Sequence, residues 1–394
     1  MANPETPKPA AAEPAAEPAT ASAEPVAVAA AAAAAAAAAV EEPTAETSTS
    51  AEVPGATEAP IEAAPLEEVE GDGNFDDADS ALGDGDNASS TASLTESILE
   101  YRTLNGRTYH SERNGAEGKY WGPNDERQNE AMDMNHHFLT LCLGGKLFLA
   151  PLKDDIEKVL DIGTGTGLWA IDMADEYPNC EVIGTDLSPI QPSWCPPNVK
   201  FEIDDCEQPW TYAPNSFDYI HFRYLVGGVS DWNKLFRQAY TALKPGGWIE
   251  SFEVEADYRS DDGTLPKDAC MYMWQELFTE GGKKLGRPFT IISDDTQRKE
   301  IEEAGFEDIT VKDIKVPMGS WPADPRLKEI GQWAQYTLEQ DLEGFVMFMW
   351  NTVLGRSLEE MQVFLAGFRR ELRTRSIHAY LPQRVVYARK PDIA

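Results

Sequence analysis

Metal-binding and redox residues are sparse in this 394-residue chain, which has five histidines and five cysteines. Cys142, Cys180, Cys195, Cys206 and Cys270 make no C-x-x-C pair, and no histidine cluster stands at zinc spacing beside them. That argues against a metal centre and a disulfide framework, and points to free thiols in a reducing compartment. His136 and His137 are neighbours, so on a helix their rings diverge by about 100° rather than converging on one ion. Basic residues are outnumbered: 33 Lys and Arg face 68 Asp and Glu, a net charge of −35. Phosphate contacts need a basic face, so direct nucleic-acid binding is disfavoured. The one basic cluster, Arg369, Arg370, Arg373 and Arg375, reads as a solvated helix face. Nor is there a membrane-length apolar run. The alanine tract at residues 29–39 is too short and too weakly apolar to span a bilayer. Its acidic flanks do not suit a secretory or mitochondrial leader, so cytoplasm or nucleus is the expected compartment.

Aromatic residues are missing almost entirely from the first hundred positions, where Phe75 stands alone. That stretch carries 21 acidic residues and one basic one, Lys8, so it accounts for −20 of the net charge. Rich in Ala, Pro, Glu, Ser and Thr, it has too little apolar surface to offset its chain entropy. Residues 1–95 are therefore expected to be disordered, and residues 96–394 to form the folded domain.

From residue 94 to 150 the apolar spacing is helical, and Pro151 ends it. From Glu157 the pattern changes to short apolar runs alternating with helical segments: KVLDIG, LWAIDMADEY, EVIGTDLS, VKFEIDD, FDYIHF, a helix from Asp231 to Leu243, then GGWIESFEVE. Strands alternating with helices predict an α/β domain, a parallel sheet with helices on both faces. Residues 256–290 look like a loose insertion. Beyond it come a helix ended by Gly305, the strand-like DITVKDIKV, two helices filling about 326–375, and a closing strand RVVYARK. The second of those helices opens on a capping box, Ser357-x-x-Glu360. The Met and aromatic stripe from Phe345 to Trp350 is read as helix core rather than as a ligand wall.

The run KVLDIGTGTGLWA raises the functional question. Gly163, Gly165 and Gly167 let a strand-to-helix turn approach a ligand closely, with Thr164 inside the same turn. By spelling alone, a dinucleotide pyrophosphate and the methionine end of S-adenosylmethionine both suit it. Asp161 immediately precedes the turn, and a carboxylate there favours a cationic group over a pyrophosphate. Asp186 ends the next strand, followed by Leu187, and can accept from two ribose hydroxyls of either cofactor. Asp205 and Cys206 follow the third strand, where a carboxylate and the next backbone N–H suit an adenine edge. LKPGG then separates a helix from a strand, and Gly246 suits the helix end.

DIGTGTG, VIGTDLS, IDDCEQPW, FDYIHFRYL and LKPGGWIE, in that order over about 100 residues, resemble the successive motifs of class I S-adenosylmethionine-dependent methyltransferases. A narrower resemblance covers almost everything after residue 98. YRTLNGRTYH, NDERQNEAMDMNHHFLTLCLGGKLFLAP, IHFRYL and RSIHAYLPQRVVYARKP are similar to the fungal LaeA-like methyltransferases. The resemblance implies a Rossmann-like seven-stranded sheet whose last strand runs antiparallel. It places the core at about 156–255, with helical elaborations at 98–150, 256–292 and 320–380. It implies S-adenosylmethionine as cofactor, held by Asp161, Gly163, Thr164, Gly165, Gly167, Asp186, Leu187, Asp205 and Cys206, with no metal. It also implies transfer to an unidentified acceptor, small molecule or protein, in secondary metabolism or development, with velvet-type proteins as possible partners. Candidate acceptor-side groups are His221, as a base, and Arg223, as a clamp on a carboxylate. Glu250 and Glu253 are expected at a solvated edge, and Arg107–His110 is a candidate cover over the cofactor. No N/D-P-P-Y/F/W motif follows the fourth strand, which disfavours amino methylation of nucleobases. The competing class is a regulatory protein that uses the fold to bind partners, and an oxidoreductase ranks third.

Overall fold

The computed structural model describes residues 60–64, 101–111 and 120–392. The stretch expected to be disordered lies outside the described residues except for 60–64. Those five residues are held by backbone pairing. Ala63 bridges Pro322 antiparallel, Ala64 N–H donates to the Trp321 carbonyl at 2.8 Å, and Ala323 N–H donates to the Glu62 carbonyl at 2.9 Å.

The first pairing along the domain corrects part of the helical reading of residues 94–150. Strands β1 (Arg102–Leu104) and β2 (Arg107–Tyr109) form an antiparallel hairpin. Asn105-Gly106 between them, with φ of 50° and 79°, is the two-residue turn whose twist matches paired strands. Helix α1 (Glu126–Cys142) follows, its first turn capped by Asp125, which accepts from Gln128 N–H at 3.2 Å.

The α/β core begins with β3 (Lys158–Ile162), α2 (Leu168–Glu176), β4 (Glu181–Asp186), β5 (Val199–Ile203), β6 (Phe217–Arg223), α3 (Trp232–Ala242) and β7 (Leu243–Val254). On α3 the apolar residues Trp232, Leu235, Phe236, Ala239 and Ala242 recur at helical spacing and are all buried. Helix α4 (Cys270–Leu285) occupies the stretch read as a loose insertion. Then come α5 (Thr296–Glu303), β8 (Glu307–Pro317), α6 (Pro325–Gln340), α7 (Leu342–Met347), a π-helical turn at Phe348–Val353, α8 (Leu358–Leu372) and β9 (Tyr380–Arg389). The capping box of α8 is closed in both directions.

The strand order is β5-β4-β3-β6-β7-β9-β8. β3 to β7 run parallel, while β9 is antiparallel to both of its neighbours, as the family resemblance implied. β3 lies at the centre with Val159, Leu160, Asp161 and Ile162 all buried, which is why it reads as one apolar run. The chain steps from β3 to β4 on one side and later places β6 on the other. This reversal opens a crevice at the carboxyl ends of the strands. LKPGG is placed differently from the expectation. α3 ends at Ala242, and residues 244–247 bulge out of β7 between the pairs Phe217↔Leu243 and Tyr219↔Trp248.

Candidate active site

At the end of β3 the backbone turns through Gly163 and Gly165 with φ of 69° and 59°. L-residues seldom adopt such angles. A Cβ on Gly163 would run into Leu225, and one on Gly165 into the Met132 methyl. Gly165 N–H donates to Asp186 Oδ2 at 2.9 Å, and Ser188 N–H donates to Oδ1 at 3.0 Å. The carboxylate keeps lone pairs for further donors. Around these groups lies a cleft with about 650 Å³ of free space, part of it open to solvent. Gly163, Asp186, Leu187, Asp205 and Cys206 all line it, together with Tyr120, Met132, Glu207 and Arg287. Thr164 Oγ1, in the same turn, is buried without a partner among the described residues. An acidic group at each of two strand ends and a turn through glycines form a polar cradle for a nucleoside with a short polar tail.

A second cavity adjoins the first. Tyr120 and Met132 line both, and the β6 exit loop supplies Leu225 to one and Tyr224 and Val226 to the other. Its walls are apolar and aromatic: Trp121, Phe138, Trp274, Phe278 and Phe289 line about 1010 Å³ of partly open space. No Asp, Glu, His, Lys or Arg lines it among the described residues. Of the Met and aromatic stripe, Phe345 reaches this wall, while Phe348, Met349 and Trp350 are buried as core.

Six of the expected site residues line neither cavity: Thr164, Gly165 and Gly167 in the turn, where Gly167 packs against Phe201 and Gln191, and Asp161, His221 and Arg223 on the strands. His221 is 1 % exposed, its Nδ1 lies 2.8 Å from Asp161 Oδ1, and its ring stacks on Trp169 at a centroid distance of 3.8 Å. Burial lowers its pKa, so the buried ring is held neutral. The expectation of an acceptor-side base at His221 is therefore not met by its placement, since carboxylate and indole occupy its surroundings. Asp161, 3 % exposed, spends one oxygen on that histidine. Arg223 is turned into the protein, where it donates to His136 Nδ1 at 3.0 Å. His136 in turn meets Asp172 Oδ2 at 2.8 Å through Nε2. Burial lowers the pKa of both His136 and Arg223. The chain Arg223–His136–Asp172 ties β6 to α1 and α2.

A methyltransferase-domain family model matches residues 134–311. The chain is 42% identical over 307 residues to "Methyltransferase pytC" of Aspergillus terreus, across 78% of this chain and 93% of that protein. It is 40% identical to "Secondary metabolism regulator LAE1" of Cochliobolus heterostrophus, across 73% and 94% of the two chains. It is 32% identical to "Protein-methionine methyltransferase laeA" of Emericella nidulans, across 74% and 77%. The chain belongs to the LaeA-like methyltransferases. Its cofactor is S-adenosylmethionine, and the polar cleft is chemically suited to it.

In this LaeA-like methyltransferase, Tyr120, Met132, Glu207 and Arg287 line the cofactor cleft without having been legible as site residues. Arg287 is buried, pairs with Glu207 Oε2 at 2.5 Å and donates to the Gly228 carbonyl. It comes from the stretch after α4, where no motif marks it. Among the described residues no group of His, Cys, Asp and Glu is placed to hold a metal ion. No helix among them is long and apolar enough to cross a membrane.

Two pH effects follow from buried carboxyls. Burial pushes Asp186 up to about 6. On the expectation that ribose hydroxyls donate to the ionised carboxylate, cofactor affinity should fall as pH drops through about 6 and level off above it. Asp186→Ala should weaken binding by about 1–3 kcal/mol and remove that dependence, as read by calorimetry across the pH range. The second effect is on stability. Glu250 and Glu253, expected at a solvated edge, are both wholly buried on β7. Glu250 Oε2 accepts from Leu149 and Ala150 N–H at 2.8 and 2.7 Å, and Glu253 accepts from Leu225 and Val226 N–H at 3.1 and 3.0 Å. Burial raises them to about 7 and about 8, against an ordinary 4.5. The folded state thus holds these protons more tightly than the unfolded chain. Their contribution to stability is full below 4.5 and is lost as pH rises through 7 and 8. Melting temperature should decline across that window. Glu250→Gln keeps one oxygen for both N–H donors and cannot ionise, so the decline should be shallower.

Proposed function

We propose that this chain transfers the methyl group of S-adenosylmethionine to an acceptor seated in the apolar cavity. The observation that carries the proposal is the junction of the two cavities at Tyr120 and Met132. Asp186 accepts from the ribose hydroxyls. The Asp205 carboxylate and the Cys206 backbone N–H read the adenine edge, and the turn at Gly163–Gly165 receives the methionine end. The cofactor supplies a methyl on a sulfonium, a good leaving group. The chain itself contributes orientation at the junction. Among the described residues, the titratable groups lining the acceptor cavity are Tyr120 and Tyr224, and burial raises both above the ordinary tyrosine range. Neither takes a proton near neutral pH, so the acceptor atom attacks without help from a strong base in the wall. His221 and Arg223 position β6 through Asp161 and His136.

The name of the Cochliobolus heterostrophus relative places that protein in the regulation of secondary metabolism, and we assign this chain's acceptor to that kind of metabolism or to its control. Purified full-length chain incubated with labelled S-adenosylmethionine and an apolar metabolite extract should yield labelled organic-soluble product. Asp186→Ala should abolish most of it. Equal labelling by the variant would overturn the proposal.

Methylation of a methionine thioether is a second reading, favoured by the position of Met132 on both cavities. A thioether has no proton to lose: its sulfur gains the methyl and S-adenosylhomocysteine leaves. Intact mass spectrometry should then show one added methyl group, mapped to Met132 and missing in Met132→Leu. An unchanged mass would remove this second reading.

A further inference from the structure

We infer that the acceptor cavity binds an uncharged, flat, apolar molecule bearing a hydroxyl or N–H group, and that Gln128, Gln383 and Trp121 recognise that group. The inference deepens the methyl-transfer proposal, because it takes the ligand of this cavity to be the methyl acceptor. It begins with the walls. Trp121, Phe278 and Phe289 are mutual neighbours, with ring centroids 5.6, 5.7 and 4.9 Å apart, and Trp274 adds a fourth ring 5.0 Å from Phe278. Such a cluster offers rigid flat faces to a ring system. No ionised side chain lines the cavity among the described residues, so a charged ligand would be desolvated without a partner.

Orphaned polar atoms give the cavity its specificity. Gln128 Oε1, Gln383 Oε1 and Trp121 Nε1 are all buried and without a partner among the described residues. Gln128 and Gln383 are 5 % and 1 % exposed, and both residues line the cavity. Gln383 uses its other end on the Tyr224 hydroxyl. Whichever way that amide is turned, one polar end remains for a ligand. Buried polar groups are normally paired, so three orphans on one apolar cavity mark the place where a ligand completes them. A hydroxyl can donate to a glutamine oxygen and accept from the indole N–H.

Equilibrium dialysis of the full chain against naphthalene, 2-naphthol and 2-naphthoate, with S-adenosylhomocysteine present, tests this. 2-Naphthol should bind about tenfold more tightly than naphthalene, the ratio one net hydrogen bond supplies. 2-Naphthoate should bind at least about a hundredfold more weakly than 2-naphthol. The pair Gln128→Leu with Gln383→Leu should bring 2-naphthol down to the level of naphthalene. Ala256→Phe, or Ala334→Phe should the first fail to fold, should block both arenes while leaving S-adenosylmethionine affinity unchanged. Naphthoate binding as tightly as naphthol would overturn the inference, as would an unaltered preference in the glutamine variants or arene binding through the blocked cavity. Cofactor affinity measured on the same samples separates the two proposals. Cofactor binding without arene binding sinks this inference alone; arene binding without cofactor binding sinks the methyl-transfer proposal and leaves the cavity's ligand class standing.

Discussion

Gly165→Val should give a folded chain that no longer binds S-adenosylmethionine. Gly165 sits at φ 59°, and its amide and carbonyl are both engaged, by Asp186 and by Gln191 Nε2 at 2.7 Å. A left-handed backbone costs an L-residue roughly 1–2 kcal/mol, and a β-branched one more. The valine side chain would also meet the Met132 methyl at the wall shared by the two cavities. Relief by a backbone shift would break the Gly165–Asp186 hydrogen bond and disturb the carboxylate proposed to take the ribose. Relief by a Met132 shift would narrow the junction. Calorimetry should therefore show no binding, with a melting point only a few degrees lower. Gly165→Ala carries the strain with less bulk and should weaken binding by about 1–2 kcal/mol. Affinity unchanged in Gly165→Val would mean that the turn does not hold the cofactor. The same variant tests the regulatory alternative. In cells, at normal abundance, it should fail to restore function, whereas full rescue would assign the biology to partner binding, velvet-type proteins among the candidates.

The cofactor cleft was legible in the sequence because its parts are local. Each strand end carries its own polar group within a residue or two of the apolar run that feeds it, so Gly163, Asp186, Asp205 and Cys206 were recognisable in place. The acceptor cavity has no such signature. Its wall draws on α1, the β6 exit, α4, β8, α6, α7 and β9, and each contribution looks like ordinary core in its own segment. Trp274 and Phe278 are spaced as any buried helix face would be. His221 misled for a related reason. A histidine near the end of an apolar strand looks like a catalytic group until the parallel register sets it opposite Asp161 on β3, and that register belongs to the fold. The hairpin before α1 was passed over because helical apolar spacing was extended through Asn105-Gly106, although that dipeptide is itself a turn signal. Glu250 and Glu253 lie in a strand whose neighbours on both sides are paired, so an acidic spelling did not mean an edge.

Arg107→Met should cost about 3–5 kcal/mol of stability, the range for removing one partner of a buried ion pair. Arg107 joins two elements far apart in sequence. Its Nε and Nη2 donate to the Asp125 carboxylate at 2.5 and 2.6 Å, and Nη1 and Nη2 donate to Asp341 at 2.8 and 2.6 Å. Asp125 caps α1 and Asp341 caps α7, so one guanidinium fixes two helix starts to the β1–β2 hairpin. The Asp341 side chain is wholly buried. Without Arg107 it keeps the Gly344 N–H at 3.1 Å and the more distant, half-exposed Arg127 at 3.4 Å. Those contacts do not replace two charge-assisted hydrogen bonds. Arg107→Lys keeps the charge but lacks the fork that spans both carboxylates, so it should recover only part of the loss. Arg107→Met combined with Asp341→Asn removes the buried charge while retaining a good cap, and should be more stable than Arg107→Met alone. Urea midpoints of the single and double variants give the coupling directly, and additive losses would show that the pair is not energetically linked. The hairpin also receives the Asn124 N–H at the Thr108 carbonyl, just before α1, which carries Met132 into the wall between the cavities. Loosening it should therefore weaken S-adenosylmethionine binding even at temperatures where Arg107→Met remains folded.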